Sequence, residues 1–306
     1  MRFIVLLSVF AIVLVIAGCP ARESKSADRA IDHEGLERSY RIYVPVSITE
    51  NEQVPLILVL HGAGGSGASM ERTTGLSTIA EREGFIVAYP EADERFWNDH
   101  DDLEDPNSSS PDDVGYLRAV IEKITREYPV DPQRVFAAGL SNGGLMCHRL
   151  ACEAPDLVAG VAGVASQLTV PTENRCSTTA PVPILLINGT EDPIVRFDDT
   201  STQGGHLDPE SVLSARETVE SWALHNRAAL NPDVTFLPDV DPEDGTRVTR
   251  EVYPGKADGA PVWFYVVEGG GHSWPGGRVL FRNPFDAPTS NDVSASELIT
   301  EFFLSQ

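Results

Sequence analysis

Ser141 is the residue of this chain best placed to do chemistry. It lies in Gly139-Leu140-Ser141-Asn142-Gly143-Gly144, a G-x-S-x-G pattern between the apolar run Val135-Phe136-Ala137-Ala138 and a helix-period segment, Leu145 to Leu150. A serine at such a strand-to-helix corner is a nucleophile elbow. The turn strains the serine backbone, and small residues at 139 and 143 keep the neighbouring strand and helix clear of it. A helix starting at Asn142 would aim its free N–H groups, and the positive end of its dipole, at an oxyanion beside Ser141. Ordinary strand-helix turns also carry this pattern, so the partners of a nucleophile must be sought elsewhere.

Two loops supply them. Gly189-Thr190-Glu191-Asp192-Pro193 follows the apolar run Val182 to Ile187 and places carboxylates just past a strand. Glu191 competes with Asp192 for the role of orienting a histidine; the shorter carboxylate, set before Pro193, which fixes the turn, is favoured. The last apolar run, Pro261 to Val267, leads into Glu268-Gly269-Gly270-Gly271-His272-Ser273-Trp274-Pro275-Gly276-Gly277. Of seven histidines, His272 is the best base, because a glycine-rich loop can carry it over the serine. His148 sits two turns along the elbow helix, roughly 10 Å away at 1.5 Å per residue, out of reach. His33, His100, His206 and His225 occupy polar or helical settings.

A third loop, His61-Gly62-Ala63-Gly64-Gly65-Ser66-Gly67, ends the continuous apolar run Val54 to Leu60. Its glycines let backbone N–H groups approach a ligand closely. It lacks the Lys-Ser/Thr ending of a phosphate-binding loop, and His61 reads as a structural residue of the loop. The backbone N–H groups of Ala63 and Asn142 are the expected oxyanion hole. Ser141, Asp192 and His272 would then carry acyl transfer without metal or cofactor.

Elements must bring these loops together. Leu36 to Ile48 alternates as an antiparallel edge strand would, whereas Val54 to Leu60 and Gly84 to Pro90 read as strands covered on both faces. A polar loop, Glu91 to Asp112, precedes an amphipathic helix, Asp113 to Glu127. Leu157 to Val164 is a further strand, and Ser211 to Asn226 and Ala295 to Phe303 are helical in pattern. Asp239, Asp241, Glu243 and Asp244 precede Gly245, but Pro242 spoils calcium-loop spacing, so a solvated turn is expected. Alternating strands and helices imply an α/β fold with a mainly parallel, doubly wound sheet. In such sheets chemistry gathers at the carboxyl ends of the strands. The order serine, aspartate, histidine is that of an α/β-hydrolase.

Composition narrows the rest. With 46 acidic against 23 basic residues the formal charge is -23, which repels phosphate backbones and excludes a basic nucleic-acid surface. No interior linker divides the chain, so residues 35–306 are read as one domain. Met1-Arg2 precedes an apolar stretch from Phe3 to Ala17, too short to span a bilayer and suited to an export signal over 1–18. Ile16-Ala17-Gly18-Cys19 resembles a bacterial lipobox, so Cys19 is the expected lipidation site and the membrane anchor; an ordinary cleaved signal is the alternative. Residues 19–34 read as a polar tether. An oxidising compartment favours one disulfide among Cys147, Cys152 and Cys176. Cys147 and Cys152 lie five apart on one predicted helix and face apart, so Cys152–Cys176 is the expected pair.

Together with Trp97-Asn98-Asp99 and Asp112-Asp113-Val114-Gly115, the four loops quoted above resemble the polyhydroxybutyrate depolymerase-like esterases, which include feruloyl and acetylxylan esterases. The likeness runs from about residue 35 onward. It implies exported serine esterases needing no metal, with Trp97 and Trp274 near the acyl or alcohol site. Many relatives carry a further cysteine pair, after the helix ending at Asn226 and near Lys256; both are absent. A non-catalytic binding module on this scaffold would be expected to lack Ser141 or His272, and no propeller or lid accompanies the domain to suggest a peptidase. The chain closes on the helix of the hydrolase domain and is tethered at Cys19, so a small or oligomeric ester, feruloyl, acetyl or hydroxyalkanoate, is expected rather than a polymer granule.

Overall fold

The computed structural model describes residues 26–99, 110–176, 180–198, 212–278 and 288–306. In chain order the strands are β1 (Ala27–His33), β2 (Leu36–Tyr43), β3 (Val54–Leu60), β4 (Ile86–Pro90), β5 (Val130–Leu140), β6 (Gly160–Val164), β7 (Ile184–Gly189), β8 (Asp233–Phe236), β9 (Arg247–Tyr253) and β10 (Val262–Glu268). The helices are α1 (Gly67–Thr74), α2 (Leu76–Glu83), α3 (Asp113–Glu127), α4 (Asn142–Glu153), α5 (Val170–Arg175), α6 (Ala215–His225) and α7 (Ala295–Leu304).

All described strands join one sheet in the order β1-β2-β4-β3-β5-β6-β7-β10-β9-β8. The run from β4 to β10 is parallel, and antiparallel pairs extend it at both ends. This is the α/β-hydrolase architecture expected from the sequence. Strand β3 shows why the sheet is covered on both sides. Its side chains alternate, so Leu56, Leu58 and Leu60 enter the core shared with α3, α4 and α6, while Ile57 and Val59 enter the core shared with α1, α2 and α7. On the second side Phe303 of α7 stacks on Phe136 of β5, with ring centroids 4.7 Å apart. Helix α3 covers the first side through Leu117, Val120, Ile121 and Ile124, and Asp112 caps it by accepting from Gly115 N–H at 2.8 Å.

Chain direction reverses across the sheet between β3 and β5: β4 lies on one side of β3, and β5, β6 and β7 follow on the other. A crevice opens at the carboxyl ends of strands at such a switch point. The loop after β3 and the elbow after β5 both sit there.

Three expectations change. The tether does not extend to residue 34, because Ala27–His33 pairs with β2, from Ala27↔Ile42 to His33↔Leu36. Its half-buried positions are Ala27, Arg29, Ile31 and His33, and the polar residues among them hide the alternation; the turn is a two-residue hairpin with positive φ at Glu34 (53°) and Gly35 (80°). Consequently β2 is an inner strand, and β1 is the edge. The chain also adds β8 and β9 beyond β10, whose exposed or mixed faces left little hydrophobic signal. Cys152 and Cys176 are bonded, and Cys147 is free and buried. The segment after Asn226 and the one at Lys256 are adjacent, joined by Lys256 N–H to Arg227 carbonyl (3.2 Å) and Ala260 N–H to Asn226 carbonyl (3.0 Å).

Candidate active site

Ser141 has φ 55° and ψ −124°, a conformation that L-residues rarely hold. The surrounding glycines make it possible. A Cβ on Gly139 would overlap the Gly143 carbonyl, one on Gly143 would lie 2.5 Å from the Leu60 carbonyl, and one on Gly144 would overlap the Ser166 hydroxyl. The first turn of α4 is thus pressed onto the end of β3 as well as β5. Ser141 N–H donates to Val164 carbonyl at 2.9 Å, which pins the corner to β6. Its Oγ makes no hydrogen bond to any described residue.

The loops after β7 and β10 are zipped together. Thr190 N–H donates to Val267 carbonyl (3.0 Å), Glu191 N–H to Gly270 carbonyl (2.9 Å), and Gly269 N–H to Thr190 Oγ1 (2.9 Å). A side chain on Gly189 would overlap the Gly270 carbonyl, so glycine is required there. The zipper delivers Asp192 to His272: Oδ2 lies 2.8 Å from Nδ1, and the Asp192 side chain is 1% exposed. Asp192 Oδ1 accepts from the N–H groups of Ile194 (2.8 Å) and Val195 (2.9 Å), which hold the carboxylate in place. Glu191 points to solvent, which separates the two candidate carboxylates. The other imidazole nitrogen has no hydrogen-bond partner among the described residues. A histidine held by a buried carboxylate through Nδ1 can accept a proton at Nε2.

The loop after β3 lies against the elbow; a Cβ on Gly62 would stand 3.4 Å from Ser141 Cβ. Ala63 is exposed, and its N–H has no acceptor among the described residues, while Asn142 occupies the first helical position, whose N–H has no intrahelical partner. His61 is structural, as expected: Nδ1 bonds the Gly62 carbonyl (2.8 Å) and Nε2 accepts Ala92 N–H (3.1 Å), and burial pushes its pKa down. His148 is buried against Trp222, whose Nε1 donates to its Nδ1 at 3.0 Å, and burial takes its pKa to about 3.

Trp97 and Trp274 do not line an open site. They are 3% and 2% exposed, and their indole N–H groups are spent on His61 carbonyl (2.9 Å) and Ser296 Oγ (2.9 Å). An aromatic ring with one donor is as useful for bracing a loop as for stacking on a substrate, and sequence alone does not separate the two uses. The neighbour Phe96 is 43% exposed. Sequence reasoning also missed the Asn142 side chain, which bonds residues more than 40 positions earlier; no local pattern announces such a contact. Cys19 lies outside the described residues.

Comparisons with known proteins identify the family. The family model Esterase PHB depolymerase matches residues 38–203, which include Ser141 and Asp192. The chain is 36% identical over 293 residues to NocK, a candidate esterase of Nocardia uniformis subsp. tsuyamanensis, covering 93% of this chain and 84% of that one. It is 27% identical over 248 residues to feruloyl esterase B of Piromyces equi, covering 79% of this chain but only 44% of the relative. In fold it resembles the acetyl xylan esterase from Aspergillus awamori, with a TM-score of 0.63 at 16% identity, across 92% of this chain and all of that one. Matched along most of its length by a relative and over its elbow and acid loop by the family model, the chain belongs to the PHB depolymerase family of esterases and is a carboxylic ester hydrolase of the feruloyl esterase, acetylxylan esterase or PHB depolymerase type.

Proposed function

We propose that the protein is an exported serine esterase that cleaves small or oligomeric carboxylic esters through Ser141, His272 and Asp192. The observation that carries this reading is the 2.8 Å bond between Asp192 Oδ2 and His272 Nδ1, delivered to the carboxyl end of the sheet that also presents Ser141 in its strained turn. Ser141 Oγ attacks the ester carbonyl carbon as its proton passes to His272 Nε2. The carbonyl oxygen becomes an oxyanion held by the N–H groups of Ala63 and Asn142. The intermediate collapses to an acyl-enzyme, and His272 gives the proton to the departing alcohol. Water, deprotonated by His272, then releases the acid and restores Ser141.

With both tryptophans buried, Phe96 is the aromatic that stands beside the oxyanion segment. Arg95 carbonyl accepts from Gly64 N–H, and Trp97 is bonded to Asn142, so Phe96 is held between the two donors. It offers an apolar contact to an acyl group or sugar ring without selecting between them. The Cys152–Cys176 disulfide supports export, as does the reading of residues 1–18 as a signal. If Cys19 is lipidated, few residues separate the anchor from β1, which keeps the domain close to the membrane. An enzyme held so near a membrane meets diffusible esters, not granules.

Ser141→Ala should abolish turnover of a short p-nitrophenyl ester in a folded protein, and a fluorophosphonate should label Ser141 in the wild type. Turnover is then compared on methyl ferulate, acetylated xylo-oligosaccharides, hydroxybutyrate oligomers and a polymer suspension. Undiminished turnover in Ser141→Ala, or an adduct elsewhere, refutes the nucleophile; clearing of the suspension with little activity on soluble esters refutes the substrate class.

A further inference from the structure

The two proposed oxyanion donors belong to different parts of the sheet. Ala63 follows β3 and Asn142 follows β5, so their separation depends on how the two loops are held against each other. A third segment, Ala92 to Asp99 after β4, bonds to both. Toward the β3 loop, Ala92 N–H donates to His61 Nε2 (3.1 Å), Arg95 carbonyl accepts from Gly64 N–H (2.9 Å), and Trp97 Nε1 donates to His61 carbonyl (2.9 Å). Toward the elbow, Asn142 Oδ1 accepts from Trp97 N–H (2.8 Å), and Asn142 Nδ2 donates to Trp97 carbonyl (3.0 Å) and to Asp99 Oδ2 (2.7 Å). One residue, Trp97, therefore grips the β3 loop with its indole and the elbow with its backbone.

The segment is itself fixed from below. Asn98 N–H donates to Asp113 Oδ2 (2.7 Å), Arg149 donates to Asn98 carbonyl (2.7 Å), and Thr172 Oγ1 donates to Asp99 carbonyl (3.3 Å). Arg38 bonds both Asp113 Oδ1 (2.7 Å) and Glu91 carbonyl (3.1 Å). Arg149 is 2% exposed and Asp113 is fully buried, so this support lies inside the protein. An ordered loop whose backbone groups are satisfied by side chains from α3, α4 and α5 behaves as a fixed strut.

We propose that the Asn142 side chain and Trp97 form a brace that sets the distance between the two oxyanion donors, making both positioning residues for the transition state. The proposal rests on the serine-esterase reading above. Donors must lie about 2.7–3.1 Å from the oxygen as it becomes charged, not from the ground-state carbonyl. A brace of this kind therefore acts on the transition state and leaves substrate binding largely alone.

The test uses Asn142→Ala, which keeps the backbone donor and a good helix former at the start of α4, and Trp97→Phe, which keeps a smaller aromatic ring and removes the indole N–H. Each should lower kcat about 10- to 100-fold with KM within about threefold, since misplacement by about 1 Å costs rates of that order. The inhibition constant of an alkylboronic acid, which forms a tetrahedral adduct on the serine, should rise by the factor that kcat/KM falls. Inhibition by the product acid should not change. The double variant should lose little more than the worse single one, because both cut the same brace. A raised KM at unchanged kcat would make Trp97 a substrate contact, and lowered thermal stability at unchanged kcat would make the brace structural only; either overturns the proposal. Should Trp97→Phe fold poorly, Asn142→Ala decides alone. Fluorophosphonate labelling separates the two levels: a wild type unlabelled at Ser141 overturns the nucleophile and the brace together, whereas a labelled wild type with unimpaired variants overturns the brace only.

Discussion

Replacing Asp192 by asparagine should destroy activity while leaving stability almost intact, and the hydrogen bonds around this side chain say why. Asp192 Oδ1 accepts two backbone N–H groups, from Ile194 and Val195, and Oδ2 faces His272 Nδ1. In Asp192→Asn the amide oxygen must stay where the two N–H groups point, since an NH2 there would face two donors. The NH2 is then forced toward His272. It compels Nδ1 to accept, so the proton moves to Nε2, the nitrogen that must accept from Ser141. An imidazole fixed in the wrong tautomer costs about 10⁴ in kcat, or about 5.4 kcal/mol of barrier. Asp192→Ala behaves differently. It frees His272 to keep a proton on Nδ1, so it should retain more activity than Asp192→Asn. It also strips the acceptor from two N–H groups, one of them on buried Val195, at about 1–3 kcal/mol. Steady-state kinetics on a p-nitrophenyl ester and thermal unfolding measure both effects. Asp192→Ala should melt roughly 4–8 °C below wild type and Asp192→Asn within about 2 °C of it. Asp192→Asn activity within tenfold of wild type, or greater than that of Asp192→Ala, would refute the tautomer argument.

Acid should weaken the fold before most carboxylates titrate. His148, buried with a pKa near 3, binds a proton in the unfolded chain at about 6.5, so its contribution is complete above that value and is lost as pH falls toward about 3. The slope is about 1.4 kcal/mol per pH unit, and His61, lowered in the same direction, adds to it. Denaturant titrations between pH 7 and 5 check this, and His148→Gln should flatten the dependence; an unchanged slope counts against it. Cys19→Ser should release the protein from membranes and abolish labelling by a fatty-acid probe, whereas a wild type already soluble and unlabelled would make this an ordinary secreted protein.

Much of the architecture is legible in the sequence because its signals are local. Val54–Leu60 is apolar at every position, so it must be a strand covered on both faces, and the period of Asp113–Glu127 must be a helix with one buried stripe. The elbow is legible for a steric reason: only glycine at 139, 143 and 144 lets β3, β5 and α4 approach as they do around Ser141. Strands β1 and β8 escaped because edge strands bury too little to leave an alternation strong enough to read. What the sequence determined by itself is thus the set of chemical groups and the strand ends that carry them: Ser141, the carboxylates at 191 and 192, His272 and the loop at Ala63. Only the tertiary structure decided which carboxylate meets the imidazole, since Glu191 and Asp192 differ by one position and the choice depends on how the loops after β7 and β10 zip together. It alone turned Trp97 and Trp274 from expected neighbours of the acyl or alcohol site into buried struts, and turned Asn142 from a helix-start residue into the link to Trp97. The reason is common to all of these. A side chain's type is a property of one position, whereas its partner is chosen by the packing of segments dozens of residues apart, and no local pattern encodes that choice.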